Sequence, residues 1–161
     1  MWETKVEEIR EKLKKTLEGV PYEKLNEKLS KDEWSIAQIV LHLAGAETRF
    51  MKLALGAAQG QTDHKGEAVD LSVFEDKNKK LKAPIDPPED PQTFGELVNA
   101  LDASRSLTEE FIGKYSEAVL AQKSMNHHRF GIMPVWQVLE LLGRHEQRHI
   151  QQIEETKKNI S

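Results

Sequence analysis

Apolar residues recur at helical spacing in four segments of this 161-residue chain, and this periodicity constrains the fold more than any other feature. In the first segment, five apolar side chains fall within about 80° of one another at 100° per residue. They are Trp2, Val6, Ile9, Leu13 and Leu17. No segment alternates apolar and polar residues for long enough to predict a sheet. The pattern therefore predicts an all-α protein.

Local signals predict the limits of the first two helices. The first helix is expected to end at Gly19 and Pro21. A capping box, Ser35-Ile36-Ala37-Gln38, begins the second helix, which Gly56 and Gly60 are expected to end. The buried face predicted for this second helix carries Ile36, Ile39, Val40, Leu43, Phe50, Leu53 and Ala54.

A long connection separates these two helices from the next two. A second capping box, Thr93-Phe94-Gly95-Glu96, begins a helix predicted to extend to Val119, and Pro134 suits the first position of the fourth helix. The 34 residues from Gln59 to Gln92 are rich in Gly, Asp, Lys and Pro, and Ser72-Val73-Phe74-Glu75 favours a short helix within them. A connection of this length is typical of a crossover that runs along a helical bundle. We therefore predict a four-helix bundle.

Composition excludes several classes of function. The chain has 23 Lys and Arg against 27 Asp and Glu, and this net charge of −4 gives no basic face for nucleic acid. No apolar run approaches the ~18 residues of a membrane span, and the charged N-terminal segment lacks a secretory signal. Cys is absent, which excludes thiolate ligands and is typical of a reducing compartment. We expect one cytoplasmic domain, residues 1–161, with a small-molecule substrate and with neither nucleic acid nor membrane as a partner.

Three histidines are placed to share a ligand. His145 and His149 are one helical turn apart and fall in the apolar stripe of the fourth helix, beside Leu142. His42 lies at the flank of the stripe of the second helix. If these two helices run antiparallel, as the long crossover indicates, His42 comes level with His149. Three imidazoles at one level predict a site for a divalent metal.

The same segment matches the H-E-x-x-H pattern of zinc peptidases. In His145-Glu146-Gln147-Arg148-His149 the Glu would be the general base. Peptidases of this kind need a third ligand well downstream, whereas only 12 residues follow His149. The peptidase interpretation is therefore rejected. Glu146 remains the candidate catalytic acid or base, with burial against an oppositely charged partner as the alternative.

Other ionisable residues lie on predicted buried faces or in connections. Glu47 on the second helix and Arg105 on the third predict a buried ion pair; the alternative is that they orient a ligand imidazole or hold a substrate carboxylate. His127 and His128 fall in the loop predicted to enter the fourth helix, where they would line the mouth of a pocket. His64, in the crossover, is expected to be solvated.

Several stretches resemble the DinB/YfiT-like superfamily of metalloenzymes. Trp34-Ser35-Ile36-Ala37-Gln38-Ile39-Val40-Leu41-His42-Leu43 looks like its W-S-x-x-Q-x-x-x-H-L signature. The segment from His127 to Gly131, followed by the one from His145 to Ile153, is similar to its closing H-P-x-F-G … H-E-x-R-H-x-x-Q-I pattern. Ala83-Pro84 also fits, whereas His128 replaces a Pro that is common in the family. Together these stretches anchor nearly the whole chain.

The resemblance implies an up-down-down-up four-helix bundle, often a homodimer, with zinc or nickel held by His42, His145 and His149. It also implies either a hydrolase or an S-transferase that uses bacillithiol or mycothiol. Because the chain has no Cys, a nucleophilic thiol would come from a small co-substrate such as bacillithiol. We therefore expect a metal-dependent S-transferase or hydrolase. Two alternatives remain open: a non-catalytic metal-binding or stress-associated protein, and a plain bundle with hydrogen-bonded core histidines.

Overall fold

The computed structural model describes residues 2–60, 66–76, 83 and 85–160. Four long helices in this part of the chain are α1 (Trp2–Leu17), α3 (Ile36–Gln59), α4 (Phe94–Lys114) and α6 (Val138–Asn159). The shorter elements are α2 (Tyr22–Leu25), α5 (Glu117–Leu120), β1 (Ser124–His127), β2 (Gly131–Pro134) and the 3₁₀ helices Ser72–Glu75 and Val135–Gln137. None of the helices described combines the length and apolarity that crossing a membrane requires.

Helices α1 and α6 run parallel. Trp2, at the start of α1, packs on Gly143 in the first half of α6, where an added Cβ would lie 2.7 Å from the indole ring. At the other end of the pair, the Thr16 hydroxyl donates to the Glu154 carboxylate at 3.3 Å. Gly143 therefore allows the close approach of the Trp2 indole to α6.

Helix α3 runs antiparallel to α6. Ile36, at the start of α3, packs in the same apolar cluster as Ile160, which directly follows α6. Further along α3, the Phe50 ring lies 5.7 Å from the imidazole of His145, centroid to centroid. The second half of α3 therefore faces the middle of α6.

Helix α4 runs antiparallel to α1. The Arg10 guanidinium donates to the Leu101 carbonyl at 3.1 Å, whereas Arg105, one turn later on α4, donates to the carbonyl of Val6, one turn earlier on α1. Together with the other helix directions, this gives the up-down-down-up order, so the predicted four-helix bundle is confirmed.

The capping boxes place the starts of α3 and α4 as predicted. Ser35 Oγ accepts from the Gln38 amide and Thr93 Oγ1 accepts from the Glu96 amide, each at 3.1 Å. Two details of α3 were predicted wrongly. Gly60 ends α3 as its C-cap, as predicted, but Gly56 does not interrupt the helix, and Leu53, expected on the buried face, is 37% exposed.

The region between α4 and α6 differs most from the prediction. Helix α4 ends at Lys114, so Val119 belongs to the separate short helix α5 and is exposed. The absence of a sheet was also predicted wrongly, because β1 and β2 form an antiparallel hairpin in which His127 pairs with Gly131. Pro134 ends β2 with an extended ψ of 142° and does not begin α6.

The described part of the crossover is tied to the bundle. The Gln137 side-chain amide accepts from the backbone N–H of Val69 at 2.9 Å and donates to its carbonyl at 2.8 Å. Beyond this point, Ser72–Glu75 forms the predicted short helix, as one turn of 3₁₀ helix whose Phe74 is buried. His64 and Pro84 lie outside the described residues.

Candidate metal centre

Three imidazoles meet between α3 and α6. Each of His42, His145 and His149 offers a ring nitrogen, and the three nitrogens lie within 4.8 Å of one another. The Nε2 atoms of His42 and His145 are 3.1 Å apart. The His149 ring centroid is 4.7 Å from the centroids of both other rings. The structure therefore brings together the three histidines singled out in the sequence.

The helices position these rings in the way that the spacing predicts. His145 and His149 are four residues apart on α6, so both project from one face. His42 reaches the same level because α3 runs antiparallel to α6. The rings of His42 and His145 are largely shielded from water, since Trp34 packs at 5.0 Å on His42, and Phe50 and Phe74 pack at 5.7 and 5.6 Å on His145, all measured between centroids.

Burial keeps these imidazoles neutral near pH 7. Desolvation, with smaller contributions from His149 and Arg49, lowers the pKa of His42 to about 3. Burial also lowers the pKa of His149 to about 4, although its hydrogen bond with Gln152 opposes the change. The pKa of His145 is lowered well below its ordinary value, again mainly by desolvation. A neutral imidazole has a lone pair free for a metal, so no proton has to be displaced at neutral pH.

Neighbouring groups define the ring nitrogens that remain for a ligand. His149 Nδ1 is 2.7 Å from the Gln152 side-chain oxygen, which fixes Nδ1 as the donor and leaves the Nε2 lone pair available. Nδ1 of His42 is buried and has no hydrogen-bond partner among the described residues. The described part of the chain therefore leaves one buried polar atom of the cluster unpaired.

A divalent transition metal fits this donor set. Zinc bonds to imidazole nitrogens at about 2.0–2.1 Å in tetrahedral geometry, which places two such nitrogens about 3.3 Å apart. The Nε2 separation between His42 and His145 is 3.1 Å. Imidazole suits zinc, copper, iron and nickel better than magnesium or calcium. Among the described residues no carboxylate joins the cluster, so three protein ligands would leave a coordination position open, as catalytic sites do.

The imidazoles face a pocket of about 550 Å³, a volume in the range of small-molecule sites. Polar residues before α3 and near the end of α6 line one end of the pocket, including Glu33 and Glu155. Arg49 of α3, Arg129 of the hairpin and Arg148 of α6 also line the pocket. Arg49 follows His42 by about 10 Å along α3 and therefore lies away from these acidic residues.

His127 and His128 line the pocket, as predicted, although they belong to the β1–β2 hairpin and its turn and not to a loop entering the helix. His127 Nδ1 accepts from the backbone N–H of Arg129 at 3.0 Å, so the proton of the neutral ring lies on Nε2. That Nε2 is buried and has no hydrogen-bond partner in the described part of the chain. Burial lowers the pKa of His127 to about 4, which keeps the ring neutral.

A second buried polar cluster lies beside the imidazoles. The predicted Glu47–Arg105 ion pair is present, with Arg105 Nε 2.8 Å from Glu47 Oε2. Arg10 joins it, with Nη2 at 2.6 Å from Glu47 and 2.9 Å from Glu146. We call Arg10, Glu47, Arg105 and Glu146 the charge network; each of the four long helices contributes one residue.

The charge network determines the surroundings of Glu146. Its two carboxylate oxygens accept from Nη2 and Nε of Arg10, and the side chain is 2% exposed. Glu146 is absent from the residues that line the pocket. The alternative of burial against a charged partner therefore describes its contacts, and the acid–base role stays a prediction that only a measurement of activity tests.

Sequence reasoning missed two arginines, although helical phase marks both. Arg10 lies about 20° beyond Leu17 on the wheel of α1, at the edge of the apolar stripe. Arg49 follows His42 by seven residues and therefore lies about 20° from it on α3. A charged residue that shares the phase of buried neighbours was a readable signal in both cases.

Comparisons with known proteins place the chain in a family. Residues 5–153 match the model of the DinB superfamily. The chain is also similar to YuaE of Bacillus subtilis (strain 168), an uncharacterized protein, with 30% identity over 146 residues that cover 89% of this chain and 90% of YuaE.

Two solved structures share the fold. The four-helix bundle protein TT2238 superposes with a TM-score of 0.67 at 16% identity, over 96% of this chain and 99% of its own. YfiT from Bacillus subtilis, a probable metal-dependent hydrolase with an unusual four-helix bundle topology, gives a TM-score of 0.63 at 20% identity, over 98% of this chain and 84% of its own. The bundle, the three-histidine cluster and the family match agree with one another: this chain belongs to the DinB superfamily.

Proposed function

We propose that this protein is a metal-dependent enzyme that holds a divalent ion, zinc or nickel, with His42, His145 and His149. The observation that carries the proposal is the cluster of three neutral imidazoles, two buried and one half-buried, that faces a pocket of about 550 Å³. A structural metal site is normally closed by a fourth protein ligand, and none is found among the described residues. The proposal therefore favours catalysis over a purely structural ion.

The reaction that we propose is hydrolysis or the transfer of a small thiol. A divalent ion with an open position acts as a Lewis acid and lowers the pKa of a water or thiol. The similarity to YfiT, a probable metal-dependent hydrolase, supports hydrolysis. The absence of Cys supports a small co-substrate such as bacillithiol as the source of any thiol. Both reactions require the same ligands and the same pocket.

The chain's own residues have defined parts in this proposal. Gln152 orients His149, and the rings of Phe50 and Phe74 keep water away from His145. His127 presents an N–H at Nε2, which we assign to hydrogen bonding with a substrate oxygen. Glu146, held by Arg10, would act as a positioning residue that fixes the orientation of α6 next to His145.

Elemental analysis of protein purified without an affinity tag tests the metal site. We expect about one equivalent of zinc or nickel in the wild-type protein and none in His145→Ala. The matched control is His128→Ala, because His128 lines the pocket outside the cluster and should leave the metal content unchanged. Wild-type protein that contains no metal and gains no thermal stability from added zinc would overturn the proposal in favour of a plain bundle.

Turnover then separates the two reactions. Loss of nitrophenyl esters without a thiol would support hydrolysis, and metal-dependent coupling of bacillithiol to monochlorobimane would support thiol transfer. Glu146→Gln should keep its metal and most of its kcat if Glu146 is a positioning residue, whereas a loss of 100-fold or more with intact metal would establish it as an acid or base. Bound metal with no turnover of either substrate class would establish the non-catalytic alternative.

A further inference from the structure

Arg49 lies in the pocket beside the imidazole cluster. It is half-buried on α3, seven residues after His42, so both side chains project from one face of the helix. An ideal Cβ added to Gly45 would lie 3.3 Å from Arg49 Nη1. The guanidinium therefore extends back along α3 toward His42, through space that the missing side chain of Gly45 leaves open.

The charge of Arg49 reaches the imidazoles. It contributes to the lowered pKa of His42, His128 and His145, after desolvation and neighbouring charged groups. Arg49 lines the pocket together with His128 of the hairpin and His145 of α6, so its charge faces the interior of the pocket.

Arg49 differs from the other arginines that line the pocket. Arg148 donates to the backbone carbonyls of Val73, Phe74 and Asp76, and thereby fixes the 3₁₀ helix of the crossover. Within the described residues, Arg49 forms neither an ion pair nor a hydrogen bond, and its burial lowers its pKa. A partly desolvated cation without a counter-ion is unfavourable, so an anion that entered the pocket would be bound there with little competition.

The acidic residues of the pocket lie too far along the bundle to serve as that counter-ion. Asp32 and Glu33 precede α3, and the 13 residues from Ile36 to Arg49 span about 20 Å of helix. Glu155 lies on α6 about 9 Å beyond His149, in the direction of the start of α3. The imidazoles therefore stand between the acidic end of the pocket and Arg49.

We propose that Arg49 binds an oxyanion group of the substrate, a carboxylate or a phosphate, next to the imidazole cluster. A guanidinium holds either group through two parallel N–H···O bonds, which fixes orientation as well as position. The proposal gives the enzyme an anionic substrate class. It rests on the proposed function only in calling the anion a substrate, because the anion site itself needs no metal.

Titration of metal-free protein at pH 7.5 tests this site. The ligands are succinate, inorganic phosphate and the uncharged succinamide, and binding is followed by calorimetry and by the fluorescence of Trp34, which lines the pocket. We expect succinate or phosphate to bind and succinamide not to bind; the tighter of the two anions identifies the group. Trp34→Phe should abolish the fluorescence change and keep the heat of binding.

Matched variants locate the site. Arg49→Gln should weaken binding of the anion at least 10-fold. Lys52→Gln, which removes the same charge from an exposed position one turn further along α3, should stay within twofold of the wild type. Arg49→Lys should be intermediate, because it keeps the charge and loses the paired hydrogen bonds. Wild-type affinity in Arg49→Gln, an equal loss in Lys52→Gln, or no binding of either anion would overturn the inference.

The two proposals fail separately. Metal-free His145→Ala should bind the anion as the wild type does, and Arg49→Gln should bind one equivalent of zinc as the wild type does. Anion binding that depends on Arg49 in a protein that takes up no metal would support this inference and overturn the proposed function. Normal zinc uptake with no anion binding would support the metal site and overturn this inference.

Discussion

The charge network and the imidazole cluster are two buried polar groups that share helices α3 and α6, but the chain supplies many more partners to the first than to the second. Glu47 accepts from Arg10, Arg105 and Thr108, and Glu146 is held by Arg10. In the charge network, Arg105 Nη2 is the buried side-chain atom without a hydrogen bond within the described residues, and it is 4.0 Å from Glu146 Oε1.

The imidazoles have no charged partner. Gln152 bonds His149 Nδ1, the Nε2 atoms of His42 and His145 are 3.1 Å apart and share at most one proton, and no carboxylate in the described part of the chain joins them. Burial alone therefore does not distinguish a structural cluster from a functional one. The distinction lies in whether the chain itself pairs the buried polar atoms.

The largest expected effect comes from breaking the charge network. Arg10→Met removes the guanidinium shared by Glu47 and Glu146 and leaves a buried carboxylate without its charged partner. We expect the free energy of unfolding to fall by about 3–5 kcal/mol, measured by urea denaturation.

Lys14→Met is the matched control for this variant. Lys14 lies on the same helix, and its pairing with Asp102 is largely exposed, so the loss should stay within about 1 kcal/mol. Equal stabilities of the two variants would show that the network contributes no more than a surface ion pair.

A smaller effect is expected from removing Gln152, the hydrogen-bond partner of the imidazole cluster. Gln152→Ala removes the hydrogen bond that orients His149, so zinc affinity should fall about 10- to 100-fold while the free energy of unfolding of the metal-free protein changes little. Competition with a chelating dye measures that affinity. Gln151→Ala, which alters the neighbouring pocket residue, should bind zinc as the wild type does; equal losses in both variants would contradict the role given to Gln152.

The smallest expected effect is a difference between the two clusters in how stability depends on pH. In metal-free protein the folded-state pKa of His42 is about 3 and that of His149 about 4, below the ordinary 6.5. Below pH 6.5 the unfolded chain binds protons that the folded chain does not, so the free energy of unfolding falls as the pH is lowered. The slope is about 1.4 kcal/mol per pH unit for each imidazole, down to its folded pKa.

The charge network has a different window. Burial disfavours the ionised form of Glu47, but Arg10 and Arg105 outweigh it and the pKa lies below the ordinary 4.5. The contribution of Glu47 to stability is complete above pH 4.5 and is lost only as the pH falls through its lower folded-state pKa. Urea denaturation at pH 7.5, 6.5 and 5.5 should therefore report the buried imidazoles, His127 included, and not the charge network, with a shallower slope in His145→Ala. A flat profile down to pH 5.5 would contradict the buried, neutral state of the cluster.

Local signals explain what could be predicted from the sequence. The capping boxes at Ser35 and Thr93 depend on residues three positions apart, and both form. The histidine cluster was predictable because helical phase and axial distance place His42, His145 and His149 at one level once α3 and α6 are antiparallel. Each of these inferences requires only the geometry of a helix.

The hairpin was missed because its strands are too short for alternation to be recognised. Each strand has four residues, and Pro134, with φ of −68°, suits a helix start and an extended strand equally well until ψ is known. Gly131 was a readable signal, because hairpins with three-residue loops use a residue with positive φ at the end of the turn. Its φ is 72°, and it pairs with His127 across the three-residue turn. Helical phase marks Arg10 and Arg49, but their partners and pocket depend on which helices become neighbours.

The amide of Gln137 has a consequence for the crossover. The Gln137 side chain hydrogen-bonds both the N–H and the carbonyl of Val69, as a neighbouring strand would at one position. This contact divides one long loop into two shorter ones. The entropic cost of closing a loop rises only as the logarithm of its length, so residues inserted after the 3₁₀ helix Ser72–Glu75 and before Thr93 would add little to that cost. The connection is thus a place where the chain could gain a tag, a binding peptide or a further segment while the bundle and its imidazoles stay in register.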